Sequence, residues 1–302
     1  MLLSEFILEF AELQKSTLRA STLRRIYMPA FKSFQSICGD KPLSEYSLRD
    51  VERFKARRLE SCEPTTVSIE FRTMKAAFAC AVRWEILNAN PFLKSKPPRI
   101  PDRDPVFLTE EEFRRLLECV EVPVLRDVFV LAVYTGARQG EILNLSWPQV
   151  DLDHRIIRIA NTEEFMTKSG KCRTVPMTDF VYEILSRRSL LRDQRKYVFH
   201  RNGKRLTQSY VGHRFKRYVR QARLSEKVKF HSLRHSFASW LVQKGANLYQ
   251  VQQLLGHADY RTTEIYAHLD VGSLTSAVNR LNWFPPGDFS PGGKMQSQGD
   301  AG

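Results

Sequence analysis

Six polar side chains in the second half of the chain have the types and the order that phosphodiester cleavage needs. They are Arg138 in TGARQGEILNL, Lys168 in TKSGKCRTVPM, His231 and Arg234 in HSLRHSFASWL, His257 in LLGHADY, and Tyr266 in TTEIYAHL. Guanidinium, ammonium and imidazole groups can surround a phosphate with hydrogen-bond donors. A tyrosine hydroxyl can then attack the phosphorus and form a covalent protein–DNA bond. We therefore predict DNA strand cleavage that needs neither a metal ion nor another cofactor.

Ten tyrosines occur in the chain, and Tyr266 is distinguished by its position at the end of this ordered set. Tyr260 and Tyr249 are the alternative nucleophiles. A phenol with a pKa of about 10 is a poor nucleophile at neutral pH. We expect the surrounding cations to stabilise phenolate character in the tyrosine and the negative charge that develops at phosphorus.

His231 and Arg234 lie three residues apart in a predicted helix, so we expect both to face the phosphate. His231 and His235 also have the i, i+4 spacing of a zinc-binding pair. Ser232 replaces the glutamate of that motif, however, and Arg234 would repel a cation. We therefore predict no metal site, and we expect His235 to pack against neighbours of its own helix.

The other candidates each have an ordinary structural explanation as well. Arg138 begins a predicted helix, and Glu141 could either orient a neighbouring residue of the site or form a plain ion pair within the helix. Lys168 lies beside the Ser-Gly turn of a predicted β-hairpin, where Lys171 is the second candidate. The glycine before His257 is typical of a helix C-terminus.

The six residues, in this order and with these flanking segments, resemble the tyrosine recombinases, the family of phage integrases and Xer-type chromosome-resolving enzymes. The resemblance extends from about residue 4 to about residue 281. It implies that Tyr266 attacks a scissile phosphate, giving a 3′-phosphotyrosyl link and a free 5′ hydroxyl, and that Lys168 protonates the leaving 5′ oxygen. The phosphoryl oxygens would be held by four residues, Arg138, His231, Arg234 and His257. Strand exchange would then proceed through a Holliday junction without ATP or a metal ion.

The same resemblance predicts double-stranded DNA and further copies of the chain as partners. We expect a homo-oligomer, a tetramer on two DNA sites, with a partner recombinase or an accessory protein as a further candidate. In the family, the helix after the nucleophile docks onto the neighbouring protomer; here its apolar stripe would be Leu274, Ala277, Val278 and Leu281. Packing of this helix on its own domain is the simpler explanation of the stripe.

Two other functions share part of this sequence pattern. A type IB topoisomerase uses the same chemistry on one duplex, and a DNA-binding regulator that has lost activity would keep the fold. The complete set of six residues argues against the inactive regulator. The compact chain, with a short interval between Lys168 and His231, favours an Xer-like or mobile-element recombinase.

The first domain is predicted to be a small helical bundle over residues 1–94, with Ile26 and Phe31 buried by one of its helices. The resemblance identifies it as the core-binding, SAM-like DNA-binding domain of the family. Four prolines then mark residues 95–105 as an extended linker, because proline restricts the preceding residue and removes backbone donors.

The second domain, residues 106–282, is predicted to be an α+β catalytic domain, so the fold class is mainly α with a small antiparallel β-sheet. Short β-type runs at 150–159 and 173–177 supply the sheet, and helices are expected from there to the end. A Pro/Gly/Ser-rich tail at 283–302 is expected to be disordered. The resemblance implies that the two domains form a C-shaped clamp around duplex DNA.

The net charge of +14, from 47 Lys and Arg against 33 Asp and Glu, suits a polyanionic partner. Basic residues outnumber acidic ones on both sides of the linker. The candidate DNA contacts are Arg72, Lys75, His213, Arg214, Arg217 and Arg220. The last four lie on the polar face of a predicted helix at 206–222, and a solvated charged face is the alternative explanation for them.

The five cysteines form no CxxC pair, which argues against a disulfide framework or a zinc site and fits a reducing cytoplasm. No stretch reaches the roughly 18 apolar residues of a membrane span, and no secretory signal is evident. We therefore expect a cytoplasmic, nucleoid-associated protein that does not contact a membrane.

Overall fold

The computed structural model describes residues 1–101, 104–161, 172–191 and 195–269. The chain divides into two compact units, Met1–Arg103 and Asp104–Gly302. The described part is mainly helical with small antiparallel sheets, so the predicted fold class is confirmed. Among the described residues, no helix has the length and apolar character needed to cross a bilayer.

The first unit is built from helices around an aromatic core. Its helices are α1 (Leu3–Leu13), α2 (Ala20–Thr22), α3 (Met28–Cys38), α4 (Leu48–Ser61) and α5 (Pro64–Arg83). Phe34 of α3 makes edge-on contacts with Phe54 of α4 and Phe78 of α5, at ring-centroid distances of 5.2 and 5.7 Å. Such large buried rings dominate the packing energy of a bundle this small.

One burial prediction in this unit is wrong. Leu23–Tyr27, between α2 and α3, is a π-helical turn. A π turn holds more residues than an α turn, so the residues within it, including Ile26, depart from the expected α-helical spacing. As a result Ile26 is 40% exposed, while Phe31 lies in the core as predicted.

The second unit combines helices with a three-stranded antiparallel sheet. Its helices are α6 (Glu110–Glu118), α7 (Pro123–Thr135), α8 (Gln139–Leu143), α9 (Asp179–Ser189), α10 (Gln208–Gln221), α11 (Ser232–Gln243), α12 (Leu248–Leu255) and α13 (Arg261–Glu264). The sheet has the order β1 (Val150–Asp151), β2 (Ile156–Ile159) and β3 (Arg173–Pro176). The β-type runs of the sequence are thus strands, in an antiparallel sheet as predicted.

A second, two-stranded sheet contradicts the prediction that helices follow β3 to the end. Strand β4 (His200–Arg201) pairs antiparallel with β5 (Lys204–Arg205). Asn202 and Gly203 connect them with φ angles of 49° and 76°. An Asn-Gly pair is a strong hairpin signal, because both central residues of this turn need positive φ. The signal was present in the sequence, but the strands are too short to show an alternating pattern.

The position at which α8 begins is set by the close packing of the end of α7 against α11. Helix α11 packs against both α7 and α12. Gly136 ends α7 in the left-handed region, with φ of 61°. A Cβ at this position would lie only 2.4 Å from the ring of Phe237 on α11. Glycine therefore allows the chain to turn close to α11 and bring Arg138 to the start of α8.

Gly136→Ala should destabilise the second unit by about 2–5 kcal/mol, because it combines left-handed strain with overpacking against Phe237. Gly203→Ala is the matched control: its φ is 76°, but no atom lies within 4 Å of an added Cβ. The control should therefore cost only the strain, about 1–2 kcal/mol. Amide hydrogen exchange in α11 peptides measures the loss of stability in each variant. Equal losses would mean that the close contact with Phe237 adds nothing to the cost of Gly136→Ala.

Candidate active site

A buried carboxylate, Glu141, lies between two guanidinium groups. Its Oε1 accepts a hydrogen bond from Arg138 Nη1 at 2.9 Å, and its Oε2 accepts from Arg173 Nη2 at 2.7 Å. The Arg138 backbone N–H also donates to Glu141 Oε2, at 2.8 Å. The Glu141 side chain is 1% exposed and that of Arg173 is 6% exposed. The carboxylate therefore fixes Arg138 at the start of α8, in addition to forming an ion pair within that helix.

The protonation of Glu141 reflects two opposed effects. Burial alone would raise its pKa, because it disfavours the charged form. The hydrogen bonds and charge of Arg173, together with those of Arg138, outweigh burial and hold the pKa of Glu141 below its ordinary value. The carboxylate is therefore ionised at neutral pH and keeps both guanidiniums oriented.

Arg234, on α11, joins the Gly136 turn to the end of α12. Its Nη1 donates to the Gly136 carbonyl and its Nη2 donates to the Leu255 carbonyl, both at 2.7 Å. The residue is only 2% exposed. Burial, and then the charges of Arg138 and Arg173, lower the pKa of Arg234.

The C-terminus of α12 is held by two arginines. Arg173 Nε donates to the Leu254 carbonyl at 2.9 Å, beside the Arg234 bond to Leu255. A helix C-terminus carries partial negative charge, so it stabilises these cations. Gly256 ends the helix with φ of 64°, and a Cβ there would come within 2.8 Å of the Arg173 side chain. The predicted helix end before His257 is thus observed, and Arg173 packs against it.

His257 is half-buried and held by the segment that leads to the tyrosine. Its Nδ1 lies 2.8 Å from the hydroxyl of Thr263, which is fully buried. Burial, followed by the nearby charges of Arg234 and Arg138, lowers the pKa of His257 to about 4. The imidazole is therefore neutral at pH 7, and its turn is tied to α13.

Tyr266 is 1% exposed and packs with Phe237, Val251 and Leu255. Its hydroxyl lies 2.6 Å from His235 Nδ1. Burial raises the pKa of Tyr266 to about 12, although the charge of Arg234 acts in the opposite direction. The expected stabilisation of phenolate by cations is thus outweighed by burial. The expectation for His235 is also corrected, since its ring reaches across to the tyrosine.

His231 occupies the N-cap position of α11 and is exposed. Its ring meets that of His235 edge-on, with the centroids 4.9 Å apart. His231 is therefore joined through His235 to the group that contains Arg234 and Tyr266, but unlike Arg234 on the same helix it is exposed.

These contacts bring five of the six predicted residues together. Arg138, Arg173 and Arg234 supply three positive charges against the single negative charge of Glu141. Such an excess can bind a phosphate and stabilise further negative charge that forms on it. Among the described residues, no three His, Cys, Asp or Glu side chains come together to hold a metal ion. Lys168 and Lys171 lie outside the described residues, as do the apolar stripe that begins at Leu274 and the tail.

Comparison with known proteins identifies the family. The model of the phage integrase family matches residues 106–272 of this chain. A tyrosine recombinase of Thermosipho africanus is 30% identical over 287 residues, which cover 92% of this chain and 97% of that protein. The chain belongs to the phage integrase family of tyrosine recombinases. It is a site-specific DNA recombinase, as the sequence predicted.

Solved structures share the fold of this recombinase. The Tn1549 transposon integrase, in complex with transposon right end DNA, matches with a TM-score of 0.76 at 23% identity, covering 93% of this chain and 99% of that one. A lambda integrase tetramer bound to a Holliday junction gives a TM-score of 0.72 at 20% identity, covering 86% of this chain and 78% of that one.

The candidate DNA contacts of the recombinase on α10 differ in exposure and in partners. Val211, Phe215 and Val219 are fully buried, so they form the inward face of α10. On the polar face, His213, Arg217 and Arg220 are exposed and Arg214 is half-buried. Arg220 Nε forms an ion pair with Glu226 at 2.8 Å, so a phosphate would have to compete with that carboxylate.

The candidate contacts in the first unit are also partly engaged. Arg72 is exposed, but its Nε and Nη2 donate to the carbonyl and the hydroxyl of Ser68, both at 3.1 Å. Lys75 is half-buried on the same helix.

Sequence reasoning missed Arg173, which is central to the site of the recombinase. A signal was available: in strand β3, Val175 is buried while Thr174 and Pro176 are exposed, and Arg173 shares the face of Val175. A charged residue on the inward face of a strand needs a buried partner. Thr263, the partner of His257, has no comparable signal, because its role depends on how the chain folds back after α12.

Glu141→Gln should destabilise the catalytic unit by about 3–5 kcal/mol at neutral pH, because two arginines lose their buried counterion. The folded pKa of Glu141 is depressed, so its contribution is complete above the unfolded pKa of about 4.3 and is lost as the pH falls through the folded pKa. The difference in the free energy of unfolding between wild type and Glu141→Gln should therefore narrow as the pH falls from about 7 to about 3.

Urea unfolding of wild type and Glu141→Gln across this pH range measures the two free energies of unfolding. Glu110→Gln is the matched control, since Glu110 pairs with Lys244 at 2.6 Å but both side chains are largely exposed, at 63% and 68%. An exposed pair contributes at most about 1 kcal/mol. If Glu141→Gln loses no more stability than the control, Glu141 does not hold the two arginines of this site in place.

Proposed function

We propose that Tyr266 is the nucleophile with which this recombinase cleaves DNA. Attack of its hydroxyl on a scissile phosphate would give a 3′-phosphotyrosyl link and release a 5′ hydroxyl. The observation that carries the assignment is the position of Tyr266, whose hydroxyl contacts His235 while Arg234 acts on it electrostatically. The alternatives Tyr260 and Tyr249 are instead surface residues, 46% and 65% exposed.

Arg138, Arg234, His231 and His257 would hold the phosphoryl oxygens. A guanidinium has five N–H donors, and the carbonyl bonds of Arg234 use two of them. Arg138 is held by Glu141 yet its side chain remains 22% exposed, which suits a phosphate contact from the surface. If the Thr263 hydroxyl donates to His257 Nδ1, then Nε2 of this neutral imidazole carries the proton and can donate to the phosphate. Glu141 would act by positioning Arg138.

Lys168 would protonate the leaving 5′ oxygen. Ile159 and Arg173 are paired across strands β2 and β3, so the chain between them leaves and returns at one place. Arg173 is fixed there by Glu141 and by the end of α12. This supports a role for a lysine from the chain between β2 and β3, and the choice of Lys168 over Lys171 rests on the resemblance of this segment to the β-hairpin of the family.

The DNA-binding surface would include residues from both domains. We assign residues 1–94 to the DNA-binding domain, 95–105 to the linker and 106–282 to the catalytic domain, and we propose that the two domains clamp duplex DNA. The net charge of +14 supports phosphate contacts. Contacts from α10 would come from His213, Arg214, Arg217 and Arg220, and those from α5 would come from Arg72 and Lys75.

We also propose that the active species is a homo-tetramer on two DNA sites, in which strands are exchanged through a Holliday junction. The tetrameric lambda integrase on a Holliday junction supports this assembly. We further propose that a partner recombinase or an accessory protein takes part in the reaction. We place the recombinase at the nucleoid in the cytoplasm in this proposal.

Tyr266→Phe should abolish covalent protein–DNA complexes while DNA binding is retained. The change removes only a hydroxyl and one hydrogen bond, for which the expected loss of stability is about 1 kcal/mol. Incubation with a nicked suicide substrate, followed by a denaturing gel, measures the covalent product. Tyr260→Phe is the control and should give the wild-type yield. A shifted protein–DNA band from Tyr266→Phe would transfer the role to another tyrosine.

A further inference from the structure

The hydroxyl of Tyr266 must lose its proton when it attacks phosphorus, and its surroundings make that loss difficult. Burial raises its pKa to about 12, so the residue is a neutral phenol at pH 7. Arg234 favours the phenolate but does not overcome burial. A proton acceptor in contact with the hydroxyl would therefore assist the attack, and the Tyr266 residue is only 1% exposed.

His235 is in contact with this hydroxyl. Its Nδ1 lies 2.6 Å from Tyr266 Oη, within the range of a strong hydrogen bond. It belongs to α11, which also carries Arg234, so the acceptor and a phosphate-binding cation are fixed on one helix. The two rings are tilted by 50° with their centroids 6.0 Å apart, so the contact is made at the ring edge by the hydroxyl and not by stacking.

The protonation state of His235 is suitable for a base. Burial, and then the charge of Arg234, lower its pKa below the ordinary value, so the imidazole is neutral at pH 7. The groups that face it are Tyr266 from the segment after α13, and His231 and Arg234 from its own helix. No carboxylate among the described residues forms a hydrogen bond or ion pair with His235 that would hold it in the protonated form.

We propose that His235 is the general base of DNA cleavage, with Nδ1 taking the proton of the Tyr266 hydroxyl; this rests on Tyr266 being the nucleophile. As the Oη–H bond breaks, an Nδ1–H bond forms. The electron pair released on Oη makes the new bond to phosphorus, and the bond from phosphorus to the 5′ oxygen breaks. That oxygen takes its proton from Lys168. In the religation step, the His235 imidazolium returns its proton to the departing Tyr266 oxygen.

His235 could also serve only to hold the tyrosine in place, and glutamine distinguishes the two roles. The amide of His235→Gln can still form a hydrogen bond with the hydroxyl, but it cannot accept a proton. We expect single-turnover cleavage of a suicide substrate by His235→Gln to be slower by about 10²–10⁴-fold, the usual contribution of a general base. DNA affinity should be unchanged. A cleavage rate close to that of wild type would overturn the proposal.

A second arm changes the nucleophile and leaves the fold intact. Placing 3,5-difluorotyrosine at position 266 lowers the phenol pKa and so reduces the need for a base. The ratio of cleavage rates between the enzyme with His235 and the His235→Gln variant should then shrink by at least about tenfold, which corresponds to about one pKa unit of relief. An unchanged ratio would mean that His235 acts only on structure, and the proposal would fail.

A third arm separates the base from the leaving-group acid. A 5′-bridging phosphorothiolate substrate releases a thiolate that needs no proton. The defect of His235→Gln should persist on this substrate, whereas that of Lys168→Ala should be relieved. Relief of the His235→Gln defect would assign His235 to the leaving group and overturn the proposal. If Tyr266 were not the nucleophile, the result would be different. Tyr266→Phe would then still form covalent complexes, whether or not His235 is replaced.

Discussion

The ion pairs of the buried Glu141 carboxylate are the interaction on which the rest of the catalytic unit depends. Arg138 and Arg173 approach it from two different elements, the start of α8 and the first residue of β3. Arg173 then holds the C-terminus of α12, and Arg234 ties that same terminus to the turn at Gly136. Separate pieces of the chain are thereby fixed around one place.

This arrangement leaves positive charge in excess, and the repulsion between the cations lowers pKa values in the site. The pKa of Arg234 and that of His257 are both lowered, by burial and by neighbouring cations. Partial negative charge at the end of α12 and the carbonyls that accept from the arginines offset part of this repulsion. A bound phosphate would offset more of it, and the pentacoordinate transition state, with greater negative charge, would gain most. The repulsion among these cations thus favours the transition state.

Much of the fold and part of the site could be predicted from the sequence, because they depend on local signals. The capping box at Thr109, the glycine that ends α12 and the inward stripe of α10 are set by residues only a few positions apart. The contacts that were missed join distant parts of the chain. Arg173 reaches Glu141, 32 residues earlier, and His235 reaches Tyr266, 31 residues later. Spacing along a helix could not reveal either pair, since each depends on how the helices pack.

The site of covalent attachment to DNA tests most directly whether Tyr266, beside Arg234 and His235, is the residue that attacks the phosphate. Wild-type protein trapped on a suicide substrate can be treated with nuclease, digested with trypsin and analysed by mass spectrometry. Trypsin releases residues 262–280, in which Tyr266 is the single tyrosine, and separates them from residues 245–261, which contain Tyr249 and Tyr260. The nucleotide mass should be found on 262–280, at Tyr266. Its presence on 245–261, or on any other peptide, would contradict this account.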